Sequence, residues 1–353
     1  MLSRFRQYWT RVDVITPRVP GAQARTLYGN VHIHPSPWPK PMQPFYILKQ
    51  GRALLRQRPY ALIISHDYGL FLNGLGAWLL HSGSQVPYVS ELHHIEGYPF
   101  ALTYREYIYR GLAAWYARRV WKRAAAIRTV NRREVPEFLR KQGVPEEKIH
   151  IMTSLYLDFS VFKPLPDVEP MYDVLFVGRL APNKGLFTLL DALHQVRETL
   201  PNVCLGILGE GKLRRALESR IAELGLENNV TFIPRAATSA DLARVYNAAR
   251  MLVCASTSEG GPRVTLEAMA CGVPVVSTPV GVMKDLLETS GTSFLVFGWH
   301  AEPLAEKIVL LLQNEHMRRQ LAENGELTVQ GFRADVIIDQ LARAYQEIAE
   351  AGG

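Results

Sequence analysis

The sequence predicts an α/β fold of two doubly wound domains with parallel sheets, and three observations carry that prediction. Apolar, strand-like runs of about four to eight residues alternate with amphipathic helical segments along the whole chain. The length of 353 residues exceeds one ordinary core and suits two domains of roughly 150 to 180 residues. A polar, proline-bearing joint, FKPLPDVEPMY at 162–172, divides the alternation into two runs.

In the first run the strands are VDVITP (12–17), ALIISHD (61–67), VPYVSELH (86–93), AAIRTV (125–130) and KIHIMTS (148–154), with helices between them and an arginine-rich helix from about 103 to 123. VHIHPSP also reads as a strand. His32 and His34 within it have a spacing open to a metal, but no third ligand accompanies them. The second run restarts with YDVLFVG (172–178), VCLGILG (203–209), NVTFIP (229–234), RMLVCAS (250–256), VPVVST (273–278) and SFLVF (293–297). Each is followed by a turn and most by an amphipathic helix. The expected division is 1–165, 166–330 and a last helix over 331–353 that crosses back to the first domain. Ligands of such sheets bind at the carboxyl ends of the strands.

Composition excludes several classes. With 48% hydrophobic and 21% charged residues the chain is globular rather than disordered or fibrous. The most apolar run, GLFLNGLGAWLL, is shorter than the roughly 20 residues of a membrane span. Cys204, Cys254 and Cys271 show no metal-ligand spacing and read as reduced core residues of a cytosolic protein. MLSRFRQYW carries no apolar stretch of signal-peptide length, so export is not expected. Charge is divided unevenly: residues 1–165 hold 23 Lys plus Arg against 10 Asp plus Glu, or +13, and residues 166–353 hold 17 against 23, or −6. Residues 104–141 contain eleven basic and three acidic residues, with Trp115, Tyr116 and Trp121 interleaved. That mixture suits an anionic membrane surface. It also suits a solvated helix face with the aromatics packed inward. No nucleic-acid motif accompanies it.

The stretch STSEGGPRVTLEAMACG (256–272) carries the most chemistry. A strand ends near Ser256, Gly260 and Gly261 open a tight loop, and Pro262 suits the first helical position because it lacks an N–H. The N–H groups of Arg263, Val264 and Thr265 then face the loop as donors for an anion such as a diphosphate. Glu259 and Glu267 are acceptors that a phosphate would repel and sugar hydroxyls would satisfy. In DVLFVGRLAPNKG, Gly178 ends the strand, Arg179 lies just beyond it and Lys184 five residues on, so two cations can neutralise a departing diphosphate without a metal. ILGEGKLRR places Gly209 at a third strand end. It lacks the third glycine of a dinucleotide fingerprint, since Arg214 stands there, and NAD binding is rejected. A glycoside-hydrolysing Glu259 and Glu267 pair is a weaker reading beside the anion site and the cations.

On these residues the sequence resembles glycosyltransferase family 4, retaining enzymes of the GT-B fold, two facing doubly wound domains, that use nucleotide-activated sugars. The resemblance covers nearly the whole chain and is most specific over 172–285. It implies that Glu267 binds the ribose, Glu259 the transferred sugar, and Arg179 and Lys184 the diphosphate. VPYVSELHH is similar to the family's strand ending in an active-site histidine, which maps onto His93. His94, with His66 and Asp67 at the end of ALIISHD, falls on the acceptor side, where capping of the turn is the alternative for His66 and Asp67. The first domain is then the acceptor side and the second the donor side. The family's first strand and its glycine-rich loop are not matched, since Met1 falls within the helix that follows them. The implied activity is transfer of a sugar from a nucleotide-diphosphate sugar, which is the substrate, with no cofactor. The basic first half, rather than the resemblance, adds a lipid-linked or cell-envelope glycan met at the inner face of the plasma membrane; Arg179 and Lys184 stand in for a metal, and the cysteines and the absent signal stretch give the cytoplasm. The alternatives are an inactive nucleotide-sugar-binding module and a sugar-nucleotide epimerase.

Overall fold

The computed structural model describes residues 2–99, 101, 103–290, 293–295 and 298–351. The chain forms two compact units, Met1–Tyr156 with Ala334–Gly353, and Leu157–Arg333.

The first unit contains strands β1 (Val12–Thr16), β2 (Arg25–Leu27), β3 (Val31–Pro35), β4 (Ile63–Asp67), β5 (Tyr88–Leu92), β6 (Ala126–Thr129) and β7 (Ile149–Ile151). They form one sheet of order β1-β3-β2 and a second, all-parallel sheet of order β4-β5-β6-β7. β1 and β3 are parallel, but β2 and β3 form an antiparallel hairpin that the sequence reading did not contain. Its turn uses left-handed backbone at Tyr28 and Gly29, φ 54° and 82°. Tyrosine is seldom found there, but Gly29 and Asn30 are turn residues, so the hairpin was within reach of the sequence. His34 Nε2 lies 2.7 Å from Asp13 Oδ1, Tyr60 donates to Asp13 Oδ2 (2.5 Å), and His32 pairs with Thr26 (2.9 Å). His32 and His34 thus have partners of their own and share no ligand position.

The β4-β5-β6-β7 sheet is buried by the helix Tyr104–Arg119 and its continuation. Ala113, Tyr116, Ala117, Val120 and Trp121 pack with Phe71, Leu92, Ile127 and Phe138. The two readings of the aromatics divide: Tyr116 and Trp121 pack inward as core residues, 3% and 0% exposed, as the solvated-helix alternative has it, and only Trp115 of the three points outward. The last helix, Ala334–Ala351, belongs to this unit; Ile338, Leu341, Ala342 and Tyr345 pack on Phe5, Val89 and Ala126.

The second unit contains β8 (Val174–Val177), β9 (Leu205–Leu208), β10 (Val230–Ile233), β11 (Leu252–Cys254), β12 (Val275–Ser277) and β13 (Ser293–Leu295). All are parallel, in the order β10-β9-β8-β11-β12-β13. Residues 296 and 297 of the predicted SFLVF strand lie outside the described residues. Val174, Leu175, Phe176 and Val177 are all buried, as a central parallel strand covered on both faces requires. The helix Leu186–Thr199 shows why such segments cover a sheet: Leu186, Leu189, Leu190, Leu193 and Val196 recur at helical spacing and all face the core. Each such side chain contributes about 1.5 to 3 kcal/mol by leaving water. Cys254 and Cys271 are buried, Cys204 is half-buried, and all three are free thiols.

Candidate active site

In the second unit the winding reverses between β8 and β11, and a crevice outside the carboxyl ends of the strands at such a switch point is where open α/β sheets take their ligands. β8 runs into Gly178 and Arg179, and β11 into the loop Ser256–Gly261. Between β8 and its helix, Pro182–Lys184 form a tight turn closed by Gly185 in the left-handed conformation. A Cβ at Gly185 would stand 2.0 Å from the Ala255 carbonyl oxygen, so the turn lies directly on the end of β11. Asn183 fastens the two: its carbonyl accepts from the Thr257 N–H (2.9 Å), and its side-chain amide donates to the Ser258 carbonyl (3.1 Å).

This packing brings Lys184 and Glu259 together. The Lys184 ammonium forms an ion pair with Glu259 Oε1, to which the Ser256 hydroxyl also donates at 3.4 Å. Burial pushes the Lys184 pKa down, and the charge of Arg179 acts in the same direction. Arg179 is itself exposed and has no ion-pair partner among the described residues. The sequence reading gave both cations to one anion. Here one of them already holds the carboxylate expected to meet the sugar.

Helix Arg263–Ala270 follows the loop, and Pro262 stands at its N-cap rather than inside it, with φ −69°. Of the three N–H groups expected at the helix start, that of Thr265 is occupied by the Pro262 carbonyl (3.1 Å), and that of Val264 meets no acceptor among the described residues. Gly281, at φ 51°, presses on the loop: a Cβ there would lie 2.3 Å from the Gly260 oxygen, which also accepts from the Val282 N–H (3.2 Å). Glu267 is buried. Its Oε2 accepts from the Tyr246 hydroxyl (2.9 Å) and its Oε1 from Arg263 Nε (2.9 Å), while burial raises its pKa against both partners. Each oxygen keeps a lone pair, enough for two vicinal hydroxyls. Gly209 has a packing reason of its own, since a Cβ would stand 1.9 Å from the Gly178 oxygen. Beside the loop a recess is lined by Cys254, Thr257, Thr278, Trp299 and His300.

The first unit holds a second cluster. Register places His66 opposite Glu91 and Glu91 opposite Arg128, on one face of three neighbouring strands. His93 follows Glu91 by two residues and returns to that face. Glu91 Oε1 accepts from Arg128 Nη1 (2.5 Å) and from the Tyr345 hydroxyl, and Oε2 meets His66 Nδ1 at 2.5 Å. Burial alone would raise the Glu91 pKa, but the Arg128 charge and His66 bring it down to about 2. His66 is raised by its bond to Glu91. His93 is pushed down to about 4 by the surrounding protein, assisted by the Arg128 charge, and stays neutral near pH 7. His66, Glu91 and His93 each bring one ligand atom within 4.8 Å of the others. The 2.5 Å contact is shorter than the roughly 3.3 Å between two ligands on one tetrahedral zinc, so in this geometry His66 and Glu91 form an ion pair rather than two ligands of one metal. His94 is exposed.

Asp67 does not join this cluster. Strand alternation turns it to the opposite face, where it is 3% exposed and accepts from Ser65 (2.9 Å), Ser90 (2.5 Å), Tyr88 (3.2 Å) and Trp121 (3.3 Å). It is a satisfied core carboxylate and lines no acceptor cleft. Burial raises its pKa to about 6.

The arrangement in the second unit offers two cations, a helix start and two carboxylates around two neighbouring strand ends, those of β8 and β11. That set can hold a diphosphate beside two groups of hydroxyls. Two family models match the chain: the glycosyl transferase 4-like domain over residues 6–153 and the glycosyl transferases group 1 over residues 161–328. A D-inositol 3-phosphate glycosyltransferase of Segniliparus rotundus is 33% identical over 183 residues, 51% of this chain and 40% of that relative. An alpha-D-kanosaminyltransferase of Streptomyces kanamyceticus is 26% identical over 317 residues, 85% of this chain and 80% of the relative. A phosphatidyl-myo-inositol mannosyltransferase of Mycobacterium leprae is 31% identical over 182 residues, 51% of this chain and 47% of the relative. In most of these matches the chain spans about half the length of the curated relative or less. Among solved structures, sucrose-phosphate synthase from Thermosynechococcus elongatus superposes with a TM-score of 0.80 at 24% identity, covering 97% of this chain and 90% of that one. Anabaena Alr3699/HepE in complex with UDP and glucose gives 0.72 at 22% identity, covering 90% and 86%.

Proposed function

The chain belongs to the group 1, family 4-type glycosyltransferases of the GT-B fold, and from that premise we propose that it transfers a sugar, with retention of anomeric configuration and without a metal, from a nucleotide-diphosphate sugar to a lipid-linked or cell-envelope glycan at the inner face of the plasma membrane. One observation carries the donor side of this reading: Arg179, Lys184, Glu259 and the start of the helix Arg263–Ala270 converge at the switch point of the second sheet, with Glu267 on the same helix. Arg179 and Lys184 take the diphosphate, Glu267 the ribose hydroxyls and Glu259 the hydroxyls of the transferred sugar. The bond from the anomeric carbon to the diphosphate oxygen breaks, its electron pair leaves on that oxygen, and the two cations stabilise the charge that collects there. The acceptor hydroxyl forms the new bond on the same face and passes its proton to the departing diphosphate oxygen. His93, neutral near pH 7, orients the sugar or the acceptor. The acceptor class draws support from the mycobacterial relative, whose name, phosphatidyl-myo-inositol mannosyltransferase, specifies a phosphatidylinositol.

The test is incubation with a panel of nucleotide sugars, with and without envelope lipid extract. Release of nucleoside diphosphate together with a new α- or β-linkage of the donor's own configuration supports the proposal. Inversion overturns the retaining step. Interconversion of the donor without a new linkage favours the epimerase, and binding without turnover the inactive module.

A further inference from the structure

The helix Tyr104–Arg119 has an inverted surface. Its buried side is made of Ala113, Tyr116 and Ala117, while its solvent side carries Tyr104, Tyr107, Ile108 and Trp115, which are 82%, 54%, 54% and 55% exposed. Positions 104, 107, 108, 111, 115, 118 and 119 follow one another in steps of one, three and four and so share one face, on which Gly111 leaves a gap between the rings. Arg118 and Arg119 end that face, and Lys122 and Arg123 prolong it. All four cations are exposed and form no ion pair among the described residues, whereas Arg128, Arg140 and Lys141 of the same basic stretch are paired with Glu91, Glu146 and Glu137. The helix has one acidic residue, Glu106, and its carboxylate is turned back to the Thr103 N–H (3.1 Å) in a capping box. Arg110 lies over the Tyr107 ring at 4.9 Å and Arg105 over that of Tyr109 at 4.9 Å, which keeps those guanidinium groups at the margin of the aromatic strip.

We propose that this face docks the first unit on an anionic lipid bilayer, with Tyr104, Tyr107, Ile108 and Trp115 entering the headgroup region and Arg118, Arg119, Lys122 and Arg123 meeting lipid phosphates. Tyrosine and tryptophan have an apolar body and a polar edge, which is what the interface of a bilayer rewards and open water does not. Four cations of one sign, with no carboxylate directed at them, select a negatively charged surface. No described helix is long and apolar enough to cross a membrane, so the contact is peripheral. The face also bears on the acceptor: a Cβ at Gly97 would stand 2.5 Å from the Glu106 oxygen, and Arg110 Nη1 donates to the Gly97 carbonyl (3.4 Å). The docking helix therefore lies directly on the loop that leaves β5 just after His93, where a lipid-linked glycan would arrive. This last step rests on the glycosyltransferase reading, but the docking itself does not.

The experiment is co-sedimentation of the full chain with phosphatidylglycerol-containing and pure phosphatidylcholine vesicles at 0.1 M and 1 M salt, without donor or acceptor. The Debye length falls between those salts from about 10 Å to about 3 Å, so the charged contribution should be largely lost at the higher one. The expected result is binding to the anionic vesicles at low salt, weakened at least tenfold by high salt. Replacing Arg118, Arg119, Lys122 and Arg123 with Gln should lower the partition tenfold or more, and Tyr107→Ser with Trp115→Ser should lower it by a similar factor. Calorimetric binding of a nucleoside diphosphate by the same variants should be unchanged, which shows that they fold. If the wild type stays in the supernatant with anionic vesicles at low salt, or self-associates through this face without binding vesicles, the proposal is overturned. It is overturned as well if neither set of substitutions moves the partition.

Discussion

Replacing Glu259 with Gln should change the affinity for free nucleoside diphosphate and for nucleotide sugar in opposite directions. The Glu259 carboxylate holds Lys184, and the two side chains are only 18% and 16% exposed. An ammonium that bridges a carboxylate and an incoming phosphate keeps their charges about 5.5 Å apart, two hydrogen-bond lengths. At that distance two like unit charges repel by about 3 kcal/mol at an effective dielectric of 20, and by about 0.8 kcal/mol in bulk water. A neutral amide removes this repulsion. It also deprives Lys184 of its counter-ion, and burial and Arg179 already lower that lysine's pKa, so part of the gain is lost. The expected balance for free diphosphate is a gain of about 1 kcal/mol, roughly fivefold in Kd. The gain should fade as pH rises through the lowered Lys184 pKa, because the variant's lysine, without its counter-ion, loses its charge before the wild type's does. The nucleotide sugar instead loses a hydroxyl bond to a charged acceptor, about 1.5 to 3 kcal/mol, and binds more weakly overall. Isothermal titration of both ligands to wild type and variant decides the matter. Equal weakening of the two ligands would refute the reasoning, because Glu259 would then serve the diphosphate site itself.

Glu267→Ala should weaken nucleoside diphosphate and nucleotide sugar alike, by about 1 to 3 kcal/mol, because the ribose is common to both; a titration in which only the nucleotide sugar loses affinity would contradict the ribose role. Turnover should persist in excess EDTA, since Arg179 and Lys184 supply the positive charge; loss of rate restored by magnesium or manganese would overturn this. Asp67 binds its proton more tightly folded, with a pKa of about 6, than unfolded, near 3.8, so it makes stability fall as pH rises from about 4 to about 6 and adds no slope above that. Asp67→Asn should therefore gain on the wild type across this window by up to roughly 3 kcal/mol, read from urea melts at pH 4 and pH 7; a difference that stays constant with pH would refute it. Leu190→Ala, at a fully buried position of the second core, should cost about 2 to 5 kcal/mol in the same melts, and a smaller loss would show that the site collapses around the cavity.

The second unit was legible in its sequence because each of its strands is a short apolar run closed by a turn, and most lead into an amphipathic helix. Such a pattern leaves a parallel, doubly wound sheet as the economical arrangement. The strand-end position of Arg179, Lys184 and Glu259 follows from the same pattern. The pairing of Lys184 with Glu259 does not, because it depends on how closely the Pro182–Lys184 turn approaches Ala255. Gly185 and Asn183 set that approach, and a glycine after a lysine looks the same in any loop. Tyr246 and Gly281 were missed for a related reason: each supports a site residue from a different βα unit, a contact that no local spacing encodes.

The first unit shows a different limit, and part of it could have been overcome. Glu91 and Arg128 are charged residues inside strands whose other residues are apolar or small and polar, and a buried charge must find a partner of opposite sign. Adjacent parallel strands then put the two opposite each other, and alternation puts His66 and His93 on their face and Asp67 on the other. The pairing and the exclusion of Asp67 from the histidine face were therefore within reach of the two-residue period, had it been applied to the polar residues as well as the apolar ones. Tyr345 was not within reach. It meets Glu91 from the chain's last helix, 254 residues away, and its approach depends on how Ile338, Leu341 and Ala342 seat that helix against Val89 and Ala126. The carboxylate that orients His66 is thus held partly by a segment distant in sequence. That helix belongs to the first unit's machinery as much as to its core.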